Sequence, residues 1–162
     1  MRWEVRGVDA FNDRLAELAQ RMDRATDVGV DDGLTLVQEE ATRLLTEKTH
    51  PPGTPTPSVA PEPPALISGA LRRSIRARRD PSSGGVHRGR IGPTIVYGRI
   101  QELGGTIVPK VAKQLSWLTA EGWRHAMSVR LPARPYMKPA VTTSRPRVRS
   151  RFVELWRQAW RL

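Results

Sequence analysis

Apolar residues recur near the start of the chain at Phe11, Leu15, Leu18 and Met22, in steps of four, three and four. That spacing places them on one stripe of an α-helix. It predicts a helix over Val8 to Met22, with Asp9 set to cap its start. A second stripe, Leu34, Val37, Ala41, Leu44 and Leu45, predicts another amphipathic helix. Asp31 and Asp32 at its beginning complement the positive helix end. The period returns after Pro139, where Val148, Phe152, Leu155 and Ala159 share a face with Trp156 beside it. We read one long C-terminal helix there, entered through a short turn at Met137 to Val141.

The middle of the chain has shorter patterns. Leu66 to Ile75 predicts a short helix, with Ser68 as cap and Leu71 and Ile75 on one face. Ile75 to Arg79 fits a strand, Asp80 to Gly85 a turn, and Val86 to Ile91 a weakly alternating return strand. Thr94 to Tyr97 is rich in strand formers, while Tyr97 to Leu103 fits a strand end or a short helix. Gly104-Gly105 breaks the chain, and Thr106 to Val108 predicts another strand. Leu115 to Leu118 and Val129 to Leu131 bound a second hairpin around Glu121-Gly122; Gly122 weakens the helical alternative over Ala120 to Met127. The expected class is α+β: a small, mostly antiparallel sheet flanked by N-terminal helices and a long C-terminal helix.

At 162 residues the chain suits a single domain, 1–162, with a sizeable core. Within it we expect an acidic helical arm at 1–50, a proline-rich loop at 51–64 and a basic α+β core at 65–162. Seven of the fourteen prolines fall between His50 and Pro64, which blocks both helix and ladder bonding there. An exposed loop is the plain reading, and a proline-rich partner motif the other. Charge divides at the same place. Up to Ala65 there are 7 Lys+Arg against 12 Asp+Glu, and from Leu66 onward 20 against 4. Such asymmetry points to a basic surface that meets nucleic acid or acidic protein. Arg outnumbers Lys 23 to 4, which suits two-point contact with phosphate or carboxylate. A GC-rich genome would produce the same skew. Cysteine is absent, no apolar run reaches membrane-spanning length, and the N-terminus lacks a secretory pattern. An intracellular product is the expectation.

Little here has the spacing of a catalyst. His50, His87 and His125 are far apart, and His87 and His125 lie among Arg residues that disfavour metal or proton binding. The basic half offers only Asp80, Glu102, Glu121 and Glu154, too few and too scattered for a two-metal nuclease or an opposed carboxylate pair. The glycine pairs lack phosphate-loop spacing, and no serine has a nucleophile-elbow setting. We expect no enzyme, no catalytic residue, no cofactor and no metal. Trp3, Trp117, Trp123, Trp156 and Trp160 suit core or protein-interface use better than base stacking. Trp156 and Trp160, four residues apart, form a helical ridge. Arg145, Arg147, Arg149 and Arg151 would fan around a helix or, in an extended segment, face one way as a phosphate comb.

Three segments in order carry a resemblance. They are Ser68-Gly69-Ala70-Leu71-Arg72-Arg73-Ser74-Ile75, then Tyr97-Gly98-Arg99-Ile100-Gln101-Glu102-Leu103-Gly104, then Pro132-Ala133-Arg134-Pro135-Tyr136-Met137-Lys138-Pro139-Ala140. Together they resemble the small tailed-phage neck proteins, the family of Hong Kong 97-type tail-completion and virion-morphogenesis proteins. Gly98 stands where that family more usually has alanine, and the proline-rich loop is long. Pro132 and Pro135 stiffen the last segment. Pro139 suits the first turn of the following helix, where its missing N–H costs nothing. A stiff elbow presenting Arg134 suits a subunit contact or a plain domain corner. Glu102 could cap a turn, pair with an Arg across a subunit seam or face solvent.

The resemblance implies a structural virion protein of the head–tail connector, joining or completing the tail, with Glu102 architectural. It implies a homo-oligomeric ring of six copies and contacts with a head-closure or connector protein and a tail terminator or tube protein. Genome DNA would be a transient, non-specific neighbour, and no membrane is involved. The expected interface residues are Glu102, Arg134, Tyr136, Trp156 and Trp160. The product would be made in the bacterial cytoplasm and reside in the virion neck. Other readings are a tail terminator, or a non-specific DNA-binding protein using the basic half, whose affinity would fall steeply with salt.

Overall fold

The structure is a computed structural model that describes residues 7–51, 58–119 and 121–161. Trp3 and residues 52–57 of the proline-rich segment lie outside the described residues. The fold is α+β. In chain order the elements are α1 (Val8–Leu44), α2 (Ala70–Arg73), β1 (Ile75–Arg79), β2 (Gly89–Pro93), α3 (Gly98–Leu103), β3 (Gly105–Ile107), β4 (Leu115–Thr119), β5 (Gly122–Ala126), β6 (Val129–Leu131) and α4 (Met137–Trp160). Among the described residues the strands form three two-stranded sheets, β1 with β2, β3 with β6 and β4 with β5. The last two are antiparallel, with Thr106 opposite Arg130 and Leu118 opposite Trp123. No described helix is long and apolar enough to cross a membrane.

The two expected N-terminal helices are one. α1 runs unbroken because the positions that join its stripes, Gly29 and Gly33, are buried on the same face as Val37 and Ala41. Steps of four residues keep that face together. The glycines give up helix propensity but let another helix come close. A Cβ built on Gly29 would lie 2.5 Å from the Phe152 ring, and one on Gly33 would lie 3.1 Å from Val148.

Contacts divide the chain into two compact units. A helical unit takes the chain as far as Leu36, Arg78–Arg90, and the chain from Arg145 onward; a mixed unit takes Val37–Ala77 and Ile91–Ser144. The division cuts both long helices and the first hairpin, and does not fall at the proline-rich segment. In the mixed unit the core is built from Val37, Ala41 and Ala140 with Leu44, Ile91 and Met137, and from Leu45, Ile75 and Tyr136 with Leu71. The proline-rich segment is closed at its base, where Leu66 exchanges backbone hydrogen bonds with Lys48 and His50.

The middle elements follow the turn signals with small shifts. The return strand of the first hairpin starts at Gly89, three residues later than Val86. Thr94 to Tyr97 is not a strand; it is a turn leading into α3, with Val96 almost fully exposed. Strand propensity needs a partner and a packed face, and this segment has neither. Gly69, in the left-handed conformation, precedes α2, and the Ser68 hydroxyl accepts the Ala70 N–H at 3.3 Å.

Candidate functional site

The three segments that carry the resemblance come together in the mixed unit. Glu102, on α3, turns its carboxylate onto the first turn of α4. Its Oε2 accepts the N–H groups of Tyr136 at 2.7 Å and Met137 at 2.8 Å, and its Oε1 accepts that of Lys138 at 2.9 Å. The first N–H groups of a helix have no partner within it, and a negative group suits that positive end. One side chain thus satisfies three orphan donors. Of the roles open to Glu102 in the sequence, capping is the one the geometry assigns. A carboxylate so occupied has little capacity left to act as a base.

Tyr136 has no exposed surface. Its ring packs with Leu45 and Ile75, and its hydroxyl donates to the Gly98 carbonyl at 3.1 Å. Burial, helped by the Glu102 charge, raises the phenol above its usual pKa. The expectation that Tyr136 offers its ring to a neighbouring subunit is therefore corrected. The two prolines stiffen the chain so that the ring turns into the core.

Close approaches fix the rest of the elbow. The Arg134 N–H donates to the Gln101 carbonyl at 2.7 Å. Gly104 has φ +67°, and a Cβ there would meet the Ala133 nitrogen at 2.7 Å and the Leu131 oxygen at 2.9 Å. Backbone atoms cannot yield, so glycine is required. The departure at Gly98 has a similar cause: a Cβ would lie 2.4 Å from Pro93 Cγ. Leu71 and Ile75, from the first segment, complete the packing around Tyr136.

Arg134 itself is partly buried. Its Nη2 donates to the Ser58 carbonyl at 3.1 Å, and its Nε has no acceptor among the described residues. Trp156 and Trp160, in the helical unit, are 42% and 66% exposed. Trp156 stacks edge-on with Phe152 and donates its indole N–H to Thr26 Oγ1 at 3.0 Å, so only Trp160 and part of Trp156 form the expected ridge. The β4–β5 hairpin adds a second apolar patch, with Leu118 and Trp123 opposite one another and both 67% exposed. Arg145, Arg147, Arg149 and Arg151 lie within α4 and fan around it, so they form no one-sided comb.

His87 overturns one expectation. The surrounding arginines do not keep protons away, because α1 brings two carboxylates to the ring. Asp27 Oδ1 lies 2.7 Å from Nδ1 and Asp23 Oδ1 lies 2.9 Å from Nε2. Carboxylates only accept, so both ring nitrogens carry hydrogen and the ring is an imidazolium. The hydrogen bond to Asp27 raises its pKa first, with Asp23 adding to it. Asp27 is held below the usual carboxylate range by His87, then by Ser82 and Arg79. A serine, a histidine and an aspartate are thus adjacent, but not as a relay. Ser82 and Asp27 share Nδ1, and Asp23 occupies Nε2, which leaves no ring nitrogen free to take a serine proton. The cluster is a clasp that holds the hairpin turn to α1. Its sequence signal was faint: two aspartates four residues apart on a helix, with a histidine some sixty residues away.

No protein-family model matches the chain, no curated protein matches it, and no solved structure matches it.

Proposed function

We propose that this chain is a structural neck protein of a long-tailed phage, one that joins or completes the tail at the head. One observation carries the reading. The three ordered segments that resemble the neck family build one elbow, with Glu102 and Tyr136 as its cap and its core. Their residue types are needed to start α4 in a fixed place, which is an architectural demand and needs no chemistry. The chain acts without catalysis, cofactor or metal.

In this reading the contacts are made by surfaces outside the elbow core. Exposed apolar side chains at Trp160, and at Leu118 and Trp123 on the hairpin, suit protein neighbours. Copies assemble head to tail into a closed ring, six in number, with the acidic and basic parts of the chain as complements. The ring meets a head-closure or connector protein on one side and a terminator or tube protein on the other. DNA passes as a transient neighbour, and the assembled protein resides in the virion neck.

The test is electron microscopy of a lysate from the parent phage with this gene disabled. Filled heads beside separate tails of normal length are expected. Tails of abnormal length would assign the terminator role instead. Intact infectious virions would overturn the neck reading and favour salt-sensitive DNA binding.

A further inference from the structure

A pocket of about 260 Å³ opens in the mixed unit. Leu45, Leu66 and Leu71 form its apolar side, and Ser58, Gln101 and Arg134 its polar side. Two polar atoms in that wall are buried without a hydrogen-bond partner: the Arg134 Nε and the Ser58 hydroxyl oxygen. Ser58 is only 8% exposed. The Arg134 guanidinium has one protein acceptor, the Ser58 carbonyl, and no described carboxylate pairs with it. None of the residues lining the pocket is acidic.

Orphaned buried donors and hydroxyls are costly, and an uncompensated charge against an apolar wall more so. A carboxylate would answer both groups at once, accepting from the guanidinium Nε–H and from the serine hydroxyl. Charge-assisted bonds of this kind are the stronger class. The apolar side asks for a hydrophobic group attached to that carboxylate. The volume lies below the usual range for small-molecule sites, and suits one or two side chains. We infer that the pocket is a socket for an acidic side chain with an apolar neighbour, presented by another protein. The inference rests on the pocket alone and goes beyond the neck reading, with which it neither stands nor falls.

The test uses the full chain labelled for NMR, following the Arg134 Nε–H resonance. The probe is N-acetyl-Leu-Glu-amide, with N-acetyl-Leu-Gln-amide as its uncharged twin and acetate as the bare anion. The Glu peptide should shift Arg134 Nε–H and the Gln101 amide and saturate, with the Gln peptide roughly tenfold weaker. Arg134→Lys should lose most of the response. Ala65→Leu, which narrows the pocket and leaves Arg134 in place, should lose it as well. Equal response to both peptides would reduce the pocket to an apolar slot. Equal response to acetate would make it a simple anion site. Either result, or no shift at Arg134, overturns the proposal.

Discussion

The elbow of the mixed unit and the clasp of the helical unit both use carboxylates to fasten distant segments, but with different donors. Glu102 is held by three backbone N–H groups, which never titrate. Asp23 and Asp27 are held by an imidazolium, which does. The elbow also has a fully buried aromatic at its centre. The helical unit relies on two glycines that let helices touch and on partly exposed ion pairs such as Arg151–Asp32 and Arg79–Asp27. Exposed pairs contribute little and are screened by salt. A fold can therefore hold one region indifferent to pH and salt while leaving another responsive to both.

The hardest break is at Tyr136. Tyr136→Ala should cost about 3–5 kcal/mol of stability, as for other buried aromatic deletions, read by chemical denaturation. Tyr136→Phe, which removes only the bond to Gly98, should cost about 1 kcal/mol. Glu102→Ala strips three helix-start donors and should cost about 1–3 kcal/mol. Faster hydrogen exchange at the Tyr136, Met137 and Lys138 amides would localise that loss to the elbow; unchanged exchange would contradict the cap. On the other side of the comparison, Gly29→Ala gains helix propensity but pushes against Phe152. A net loss of about 1–2 kcal/mol is expected, with a change in Trp156 fluorescence as its local signature.

The smallest effect sharpens the contrast most. The folded state raises the His87 pKa above its ordinary value near 6.5. Its contribution is therefore fully present below that value and is lost as pH rises through the folded pKa. Melting followed by Trp156 fluorescence should show this loss between about pH 5 and pH 9, and His87→Gln should abolish the pH dependence. Hydrogen exchange at the elbow amides, corrected for intrinsic pH effects, should stay level over the same range. A matching fall there would erase the distinction between the two regions.

Much of the architecture was legible because its signals are local. The stripe from Val148 to Ala159 predicted the C-terminal helix, and glycine-rich turns marked both hairpins. Continuity of α1 was harder to read, because its joining residues are glycines whose value lies in what they admit, Phe152 and Val148. Thr94 to Tyr97 looked like a strand because propensity cannot report a missing partner. The site was legible as a set of segments but not as a set of roles. Glu102 caps a helix start 34 residues downstream, and His87 takes its protons' acceptors from 60 and 64 residues upstream. No local pattern encodes such pairs.

The reach of Glu102 also orders events in time. Starting a helix is the costly step of making one, and the first turn of α4 draws its acceptors from α3, 34 to 36 residues earlier in the chain. The intervening loop must close before those acceptors arrive, at an entropic cost that precedes any gain. The body of α4 is free of that condition and can wind from within. The helix is thus built from its middle outward, and its N-terminal turn is completed late, when the elbow shuts.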